Sequence, residues 1–242
     1  MVVACETRAM SDEPPAKMSA PVVAAFDLDG TLTEGGSVFH WLRHIAGSRE
    51  AYAAALRLAV PLTVGALRSG SSADRAKERL FRAVLDGRDG EEVALRSRDF
   101  VIEHLLRKGR SSTLERLSTH RTLGHDVVVV SASPQLYVDV VAEELGAQGG
   151  LGTRLAVDPL GKLTGGYLGR NCRGSEKVRR LHEWIEERNY ERAPVLYAYG
   201  NSRGDQRMLR ESTHPHDVGK LGSWGALRRF PRLATTPLIT DE

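Results

Sequence analysis

The sequence predicts an α/β fold in which a parallel sheet core carries an inserted all-helical cap domain. Three apolar runs, at 22–26, 127–130 and 195–199, have the continuous hydrophobicity of strands that are covered on both faces. Helical patterns separate these runs, and an alternation of strand and helix favours parallel connections. A block rich in Ala, Leu, Arg and Glu follows the first strand and carries no strand pattern. The expected domains are a core at 21–35 and 109–215 and a cap at 36–108.

The remaining elements follow from capping and turn signals. Breaks at glycine and serine divide the cap into three or four helices. In the core, two serines that can cap a helix open the segment 111–121, and Pro134 opens another helix that runs to about 145. Runs at 153–157 and 162–167 flank an Asp-Pro-Leu-Gly turn and predict a hairpin. Three further core segments are expected: a charged amphipathic helix at 175–188, a loop at 200–204 and a helix near 207.

Composition and charge bound the class of protein. A chain of 242 residues can bury a full core without disulfides or a structural metal. Its formal net charge of +3 is weak support for nucleic-acid binding and fits an anionic substrate equally well. The two cysteines, Cys5 and Cys172, make no disulfide framework, which indicates a reducing compartment. We expect a cytoplasmic protein that binds no nucleic acid.

The two ends and one apolar stretch are expected to lie outside the core. Residues 1–20 lack a continuous apolar segment of signal-peptide length and predict a flexible leader. The stretch 51–67 is apolar, but charged, proline and glycine residues interrupt it, which argues against a membrane span. A buried or membrane-surface helix is the expectation there, and peripheral contact with a membrane stays open. The C-terminal extension is placed at 216–242.

Polar side chains follow the predicted strands at the points where those strands end. Asp27 follows the first strand, Ser131 follows the valine strand, and Asp205 lies just beyond the strand 195–199. In open α/β sheets, ligands bind at the carboxyl ends of the strands. Three such residues arriving from distant parts of the chain therefore predict a binding site at this edge.

Asp27 and Asp29 are the candidate catalytic pair. A turn begins at this point, so both carboxylates can reach one pocket. One carboxylate can attack phosphorus, and a second acid can protonate the leaving oxygen and later activate water. For an isolated Asp-x-Asp-Gly, the alternative is an ordinary turn or helix-capping acid.

Four motifs in order resemble those of the haloacid dehalogenase superfamily of hydrolases. They are Asp27-Leu28-Asp29-Gly30-Thr31, then Ser131, then Lys177 within Gly174-Ser175-Glu176-Lys177, then Gly200-Asn201-Ser202-Arg203-Gly204-Asp205. The helical insertion after the first motif resembles the cap of the phosphoserine-phosphatase-like branch, subfamily IB. Together the motifs cover about Val22 to Leu209, which makes the resemblance specific.

The resemblance implies a Rossmann-like core and a role for each motif. Asp27 would be the nucleophile and Asp29 the general acid and base. Mg²⁺ would be held by the Asp27 carboxylate, the Asp29 backbone carbonyl and the fourth motif, with Asn201 and Asp205 as its candidates. The implied phosphate-binding residues are Thr31, Ser131, Ala132 and Lys177. The alternative for Ser131 is that it caps a helix, although Ser133 is the better candidate for that role. The alternative for Lys177 is a solvated charge on the surface of a helix.

Two departures from the family pattern bear on the metal and on the substrate. Asn201 stands where the family often has an aspartate, so the direct ligand is left open between Asn201 and Asp205. Phosphoserine phosphatases carry a glutamate that engages the substrate amine near the position of Gly36, and Glu34 is offset from it. This departure argues against phosphoserine as the substrate.

Weaker candidates are interpreted as structural. His40 and His44 have helical metal spacing but no visible third ligand. The run 214–217, His-Pro-His-Asp, is expected to be a surface loop. A basic cluster can be a nucleic-acid patch, a solvated helix face or a positive rim around a phosphate pocket. Few aromatics accompany it, which disfavours a platform for single-stranded nucleic acid. Its members are Arg170, Arg173, Lys177, Arg179 and Arg180.

The predicted function is Mg²⁺-dependent hydrolysis of a phosphomonoester, a small phosphorylated metabolite, through an aspartyl-phosphate on Asp27. Phosphoryl transfer or a mutase reaction on the same site is an alternative, since the first half-reaction is identical. A non-catalytic phosphate-ligand-binding protein is another, motivated by Asn201. A carbon–halogen hydrolase is disfavoured because that chemistry needs no acid at Asp29. A membrane lipid phosphatase rests only on the apolar stretch and a basic C-terminal segment.

Overall fold

The computed structural model describes residues 20–59, 71–220 and 225–233. The strands within these ranges are β1 (Val22–Phe26), β2 (Asp126–Pro134), β3 (Gly149–Thr153), β4 (Leu155–Val157), β5 (Leu163–Tyr167), β6 (Val195–Gly200) and β7 (His214–Asp217). The helices are α1 (Val38–Ala46), α2 (Ser48–Arg57), α3 (Ser71–Leu85), α4 (Gly90–Lys108), α5 (Ser111–Thr122), α6 (Gln135–Glu144), α7 (Ser175–Glu186) and α8 (Gln206–Glu211).

A five-stranded parallel sheet forms the core, in the order β3-β2-β1-β6-β7. Its central strand is covered on both faces, as its continuous apolar sequence predicts. Ala24 and Phe26 pack into the core cluster on one face, and Val23 and Ala25 pack into the cluster on the other. The predicted α/β fold with a parallel core is confirmed, and so is the predicted hairpin, which is the antiparallel pair β4-β5.

Helices α1 to α4 lie between β1 and α5, where the cap is predicted. Both connections to the core are held by backbone hydrogen bonds: the Glu34 N–H donates to Lys108 at 2.7 Å, and the Arg110 N–H donates to Leu32 at 2.9 Å. The stretch 51–67 runs from α2 beyond the described residues. In the described ranges no helix combines the length and apolarity needed to cross a bilayer. That 36–108 forms a separate domain stays a prediction.

The structure corrects several boundaries. The run 214–217, expected as a surface loop, is strand β7 with His216 and Asp217 buried, so the core sheet crosses the predicted boundary at 215. Pro215 is tolerated because β7 is an edge strand. The serines at the start of α5 do not cap it, since Arg110 occupies that position. Other predicted segments lie wholly or partly outside the described residues: most of the leader, at 1–19, and parts of the extension, at 221–224 and 234–242.

Candidate active site

The carboxyl ends of β1, β2 and β6 meet at one edge of the sheet, because neighbouring parallel strands end together. A cleft of about 220 Å³ lies there, beneath α3 of the cap. Five polar residues predicted from the sequence line its walls together with Lys77, which was not predicted. The five are Asp27, Asp29, Ser131, Lys177 and Asp205. The sequence-predicted catalytic pair and residues of the other three motifs are therefore brought together.

Asp27 is held rigidly at the floor of this cleft. Its backbone N–H donates to the Tyr199 carbonyl at 3.0 Å, which continues the ladder between β1 and β6. Its Oδ1 accepts from Lys177 Nζ at 2.6 Å, and its Oδ2 accepts from Thr31 Oγ1 at 3.0 Å. The side chain is 9% exposed. One carboxylate is thus oriented by two donors and is reached only through the cleft.

Lys177 links three strands through a single ammonium group. Nζ donates to Asp27 Oδ1 at 2.6 Å, to Asp205 Oδ1 at 2.6 Å and to the Val130 carbonyl at 2.7 Å. The side chain is 2% exposed, so the alternative of a solvated helix charge is wrong. Burial alone would lower the pKa of Lys177, but the Asp205 and Asp27 carboxylates outweigh it and the pKa is raised.

The carboxylates of this cluster outnumber the cation beside them. Burial, and then the charge of Asp205, raise the pKa of Asp27 to about 7, although Lys177 opposes this shift. Asp27, Asp29 and Asp205 share the cleft wall with Lys177, the one ammonium that contacts Asp27 among the described residues. Asp74, Lys77 and Arg173 line the same cleft, so its carboxylates exceed its cations by one, four against three.

Asp29 is positioned by hydrogen bonds to both of its carboxylate oxygens. Oδ1 accepts from the Ser37 N–H at 2.7 Å, and Oδ2 accepts from Ser133 Oγ at 2.6 Å. The Ser37 hydroxyl in turn hydrogen-bonds the Tyr137 hydroxyl. Ser133 is therefore a site residue, which corrects its expected role as a helix cap, and Pro134 occupies the position before α6.

The predicted phosphate-binding residues divide into two groups. Ser131 and Ala132 line the cleft, and Ser131 Oγ accepts from the Ser133 N–H at 3.1 Å. Thr31 departs from the expectation. It is fully buried and its hydroxyl donates to Asp27 Oδ2, so it orients the carboxylate from below instead of facing the cleft.

The family model for haloacid dehalogenase-like hydrolases matches residues 24–210. The chain belongs to this family. "Protein CicA" of Caulobacter vibrioides (strain NA1000 / CB15N) is 33% identical over 78% of this chain and 82% of its own length. "Histidinol-phosphatase" of Neisseria meningitidis is 25% identical over 80% and 88%. A solved "Phospho-Aspartyl Intermediate Analogue of Phosphoserine phosphatase" has a TM-score of 0.57 and 19% identity over 82% and 87%, and this likeness concerns the fold.

This family membership confirms the resemblance that the four motifs predicted. It also confirms the capped α/β fold that the resemblance implied. Relatives whose names contain the word phosphatase agree with the predicted class, a phosphoric monoester hydrolase of the phosphoserine-phosphatase-like branch. The agreement extends to the class of enzyme.

The loop that follows β6 contributes an oxygen that fits a hard divalent cation. Asn201 Oδ1 is buried and has no hydrogen-bond partner among the described residues. Both Asp205 oxygens are occupied, Oδ1 by Lys177 and Oδ2 by Ser202 and the Asn201 N–H. Gly30 adopts φ +84°, and a Cβ there would overlap the Asn201 side-chain amide. An amide oxygen and carboxylates are ligands that Mg²⁺ accepts.

In the described part of the chain, the catalytic cleft included, no group of three or more His, Cys, Asp or Glu side chains could by itself hold an ion. Of the basic cluster, Lys177 and Arg173 reach the cleft. Arg179 pairs with Glu176, and Arg180 donates to the Gly152 carbonyl.

The sequence-based reasoning missed the residues that the cap and a core loop contribute. Lys77 of α3 donates to the Ala132 carbonyl at 2.7 Å and to Asn171 Oδ1 at 3.0 Å. Asn171 Nδ2 donates to Asp74 Oδ1 at 2.6 Å. No family motif marks these residues. The sequence feature that could have pointed to them is the i, i+3 pair of Asp74 and Lys77 on one helix face.

Proposed function

We propose that this chain hydrolyses phosphomonoesters with Mg²⁺ as cofactor, through an aspartyl-phosphate on Asp27. The observation that carries the proposal is that two carboxylates lie in one cleft and are positioned by different hydrogen-bond donors. Asp27 is held by an ammonium and a hydroxyl, as suits a nucleophile. Asp29 is held by a backbone N–H and the Ser133 hydroxyl, which leaves a carboxyl group placed for proton transfer.

In the first step, Asp27 attacks phosphorus, a new O–P bond forms and the bond to the leaving oxygen breaks. Asp29 donates its proton to that oxygen, so that an alcohol leaves. Lys177 stays protonated and offsets the charge that gathers around Asp27. Ser131, at the end of β2, lines the cleft and can donate to a phosphate oxygen.

In the second step, water attacks the phosphorus of the intermediate and Asp29 takes one of its protons. The O–P bond to Asp27 breaks, which releases inorganic phosphate and restores the carboxylate. The hydrogen bonds from Ser37 and Ser133 keep Asp29 in place through both steps. Helix α3 covers the cleft and limits the access of bulk water.

The ligands proposed for Mg²⁺ are the Asp27 carboxylate, the Asp29 backbone carbonyl and Asn201 Oδ1. Asn201 is preferred to Asp205 as the direct ligand because its oxygen is unpartnered and both Asp205 oxygens are in use. Asp205 instead anchors Lys177 and the loop after β6. When bound, the cation would offset the repulsion between the anionic nucleophile and the anionic phosphate.

The test is turnover of an artificial aryl phosphate by the full chain with and without Mg²⁺. Asp27→Asn should abolish turnover and the phosphoryl adduct seen by mass spectrometry after rapid quenching. The exposed Asp86→Asn is the matched control and should behave like the wild type. Full turnover by Asp27→Asn would show the mechanism to be wrong. Added alcohol acceptors distinguish hydrolysis from phosphoryl transfer, because only transfer yields a new ester.

A further inference from the structure

A second cavity of about 640 Å³ lies beside the catalytic cleft. Asp74, Asn171, Arg173 and Gly204 line both spaces, so the two are contiguous. The catalytic cleft, at about 220 Å³, accommodates a phosphoryl group and little more. We call the larger space the vestibule. The leaving group of a substrate bound at Asp27 would extend into it.

Lys77 lies on the wall of the catalytic cleft and contacts Asn171, which lines both spaces, and its hydrogen-bond partners are neutral. Its Nζ donates to the Ala132 carbonyl and to Asn171 Oδ1. Among the described residues, no carboxylate lies within ion-pair distance of it. An ammonium has three donors, and these two contacts leave one for a ligand. Burial lowers the pKa of Lys77 to about 8, against the opposing charge of Asp74, which agrees with a poorly compensated cation.

The arginines of the vestibule are also weakly compensated. Arg173 lies 3.9 Å from Asp74 Oδ1, while that oxygen accepts the closer amide of Asn171 at 2.6 Å. Arg170 and Arg203 are exposed on the same wall and have no ion pair in the described part of the chain. The wall's two glutamates are engaged elsewhere, Glu78 with Arg82 and Glu176 with Arg179. The charges that remain available to a ligand are mainly positive.

We infer that the vestibule receives the leaving group and selects phosphomonoesters whose leaving group carries its own negative charge, with Lys77 and Arg173 as the residues that bind that charge. The inference rests on the proposed function, since it assumes that the phosphoryl group lies at Asp27. A carboxylate and a second phosphate share the required chemistry, because both accept charge-assisted hydrogen bonds from Lys and Arg.

The experiment compares substrates that differ only in this charge. Glycerol 3-phosphate and 3-phosphoglycerate share a skeleton and differ by a hydroxymethyl group against a carboxylate. Fructose 6-phosphate and fructose 1,6-bisphosphate make the same comparison for a second phosphate. We expect kcat/KM to be about 10-fold or more higher for the charged member of at least one pair, mainly through a lower KM. The pair that shows the preference identifies the source of the charge.

Lys77→Met and Arg173→Gln should each bring that ratio close to one, and Lys77→Arg should restore part of it. Arg107→Gln, which removes an exposed arginine on α4, is the matched control and should keep the wild-type ratio. Equal kcat/KM within both pairs, or a wild-type ratio in both test variants, overturns the inference. If Lys77→Met does not fold, Arg173→Gln, at a partly exposed side chain, decides the question.

A binding measurement separates this inference from the proposed mechanism. In Asp27→Asn protein, calorimetric titration with the four phosphates reports affinity without turnover. Tighter binding of a charged member, lost in the added Arg173→Gln variant, supports the vestibule even if the chemistry at Asp27 is wrong. Equal affinity within both pairs rejects the vestibule even if aryl phosphates are hydrolysed.

Discussion

Two buried clusters of ionisable side chains lie along β1 and β6, and they handle burial in opposite ways. The catalytic cluster, Asp27, Lys177 and Asp205, keeps its ammonium at the carboxyl ends of the strands. The histidine cluster, His120, His125, Tyr199 and His216, is buried near the same strands, and burial favours the neutral forms of His120 and His216. The two are adjacent, because the Asp27 N–H donates to the carbonyl of Tyr199.

In the histidine cluster, His120 and His216 avoid the cost of burying a charge because burial favours their neutral forms. Burial lowers the pKa of His120 to about 3 and that of His216 to about 4. His120 Nε2 contacts the Tyr199 hydroxyl at 2.8 Å, and its Nδ1 contacts His125 Nδ1 at 2.8 Å. Tyr199 stacks between Phe26 and His216, with ring centroids 4.3 and 4.7 Å away. Neutral rings can pack in this way as part of the core.

The catalytic cluster cannot give up its charge and still act as proposed. A buried ion pair returns its desolvation cost only with good geometry and further hydrogen bonds, and Lys177 has both. The comparison shows that burial alone does not mark a functional site. Burial together with retained charge, at the open edge of the sheet, does.

The largest expected effect comes from Lys177→Met, which removes the cation that the catalytic cluster retains. Asp27 and Asp205 would be left buried without their shared partner. We expect kcat to fall about 10³-fold and the free energy of unfolding at pH 7 to fall by about 3 kcal/mol. Steady-state kinetics and urea titration measure the two effects. Lys162→Met, which removes a half-exposed pair with Asp89, is the control and should change neither by much. Activity within 10-fold of wild type would contradict the role of Lys177.

A smaller effect is expected from Ser133→Ala, which removes the hydroxyl that holds Asp29 Oδ2. We expect kcat for an alkyl phosphate to fall about 10-fold to 100-fold, with little change in KM. The loss should be smaller for a nitrophenyl phosphate, because that leaving group needs less proton donation. The exposed Ser118→Ala is the control. Equal losses with both substrates would mean that Ser133 supports the fold and does not position the acid.

Substitutions at Asn201 should change the affinity for Mg²⁺ about 10-fold and should have no other effect. Asn201→Asp adds a carboxylate to a set of oxygens that already suits a hard cation, and ligand charge tunes affinity. The Mg²⁺ concentration for half-maximal activity should fall, and Asn201→Ala should raise it. Asn189→Asp, at an exposed turn, is the matched control. If Asn201→Ala leaves the Mg²⁺ dependence unchanged, Asn201 is not a ligand.

The sequence predicts the central strands and the core part of the site because both have local signatures. The run 22–26 is apolar throughout, and few environments other than a two-sided sheet suit it. The edge strands β3 and β7 lack such a local signature. In β3, Gly150 is required because a Cβ would lie 2.9 Å from the Val138 carbonyl, and glycine gives no strand signal. The β7 run, with its proline and two histidines, has the composition of a loop.

The cap side of the site escapes prediction for a different physical reason. Lys77 and its acceptor Ala132 are 55 residues apart, and their contact depends on how α3 packs over the core. Ser133 illustrates the same limit over a shorter range. Its position before a predicted helix favours capping, but the tertiary contact with Asp29, 104 residues away, decides its role.

The smallest expected effect is on the histidine cluster and concerns stability in acid. His216 has a pKa of about 4, below the value of about 6.5 expected when unfolded, so the unfolded chain binds the proton first. Stability should therefore fall as pH drops from about 6.5 towards 4. Arg116 and His214 add to this depression of the pKa. His216→Phe removes the titrating group and keeps a ring that can stack on Tyr199.

We expect His216→Phe to match the wild type within about 1 kcal/mol at pH 7.5 and to lose less stability, by about 1–2 kcal/mol, at pH 5. Urea titrations at the two pH values measure this difference. His182→Phe, at an exposed histidine paired with Glu211, should follow the wild type. The residual acid sensitivity of His216→Phe belongs largely to His120, whose pKa is lower still. An unchanged pH dependence would mean that His216 binds its proton equally well in the folded and the unfolded chain, and the contrast between a neutral and a charged cluster would then be lost.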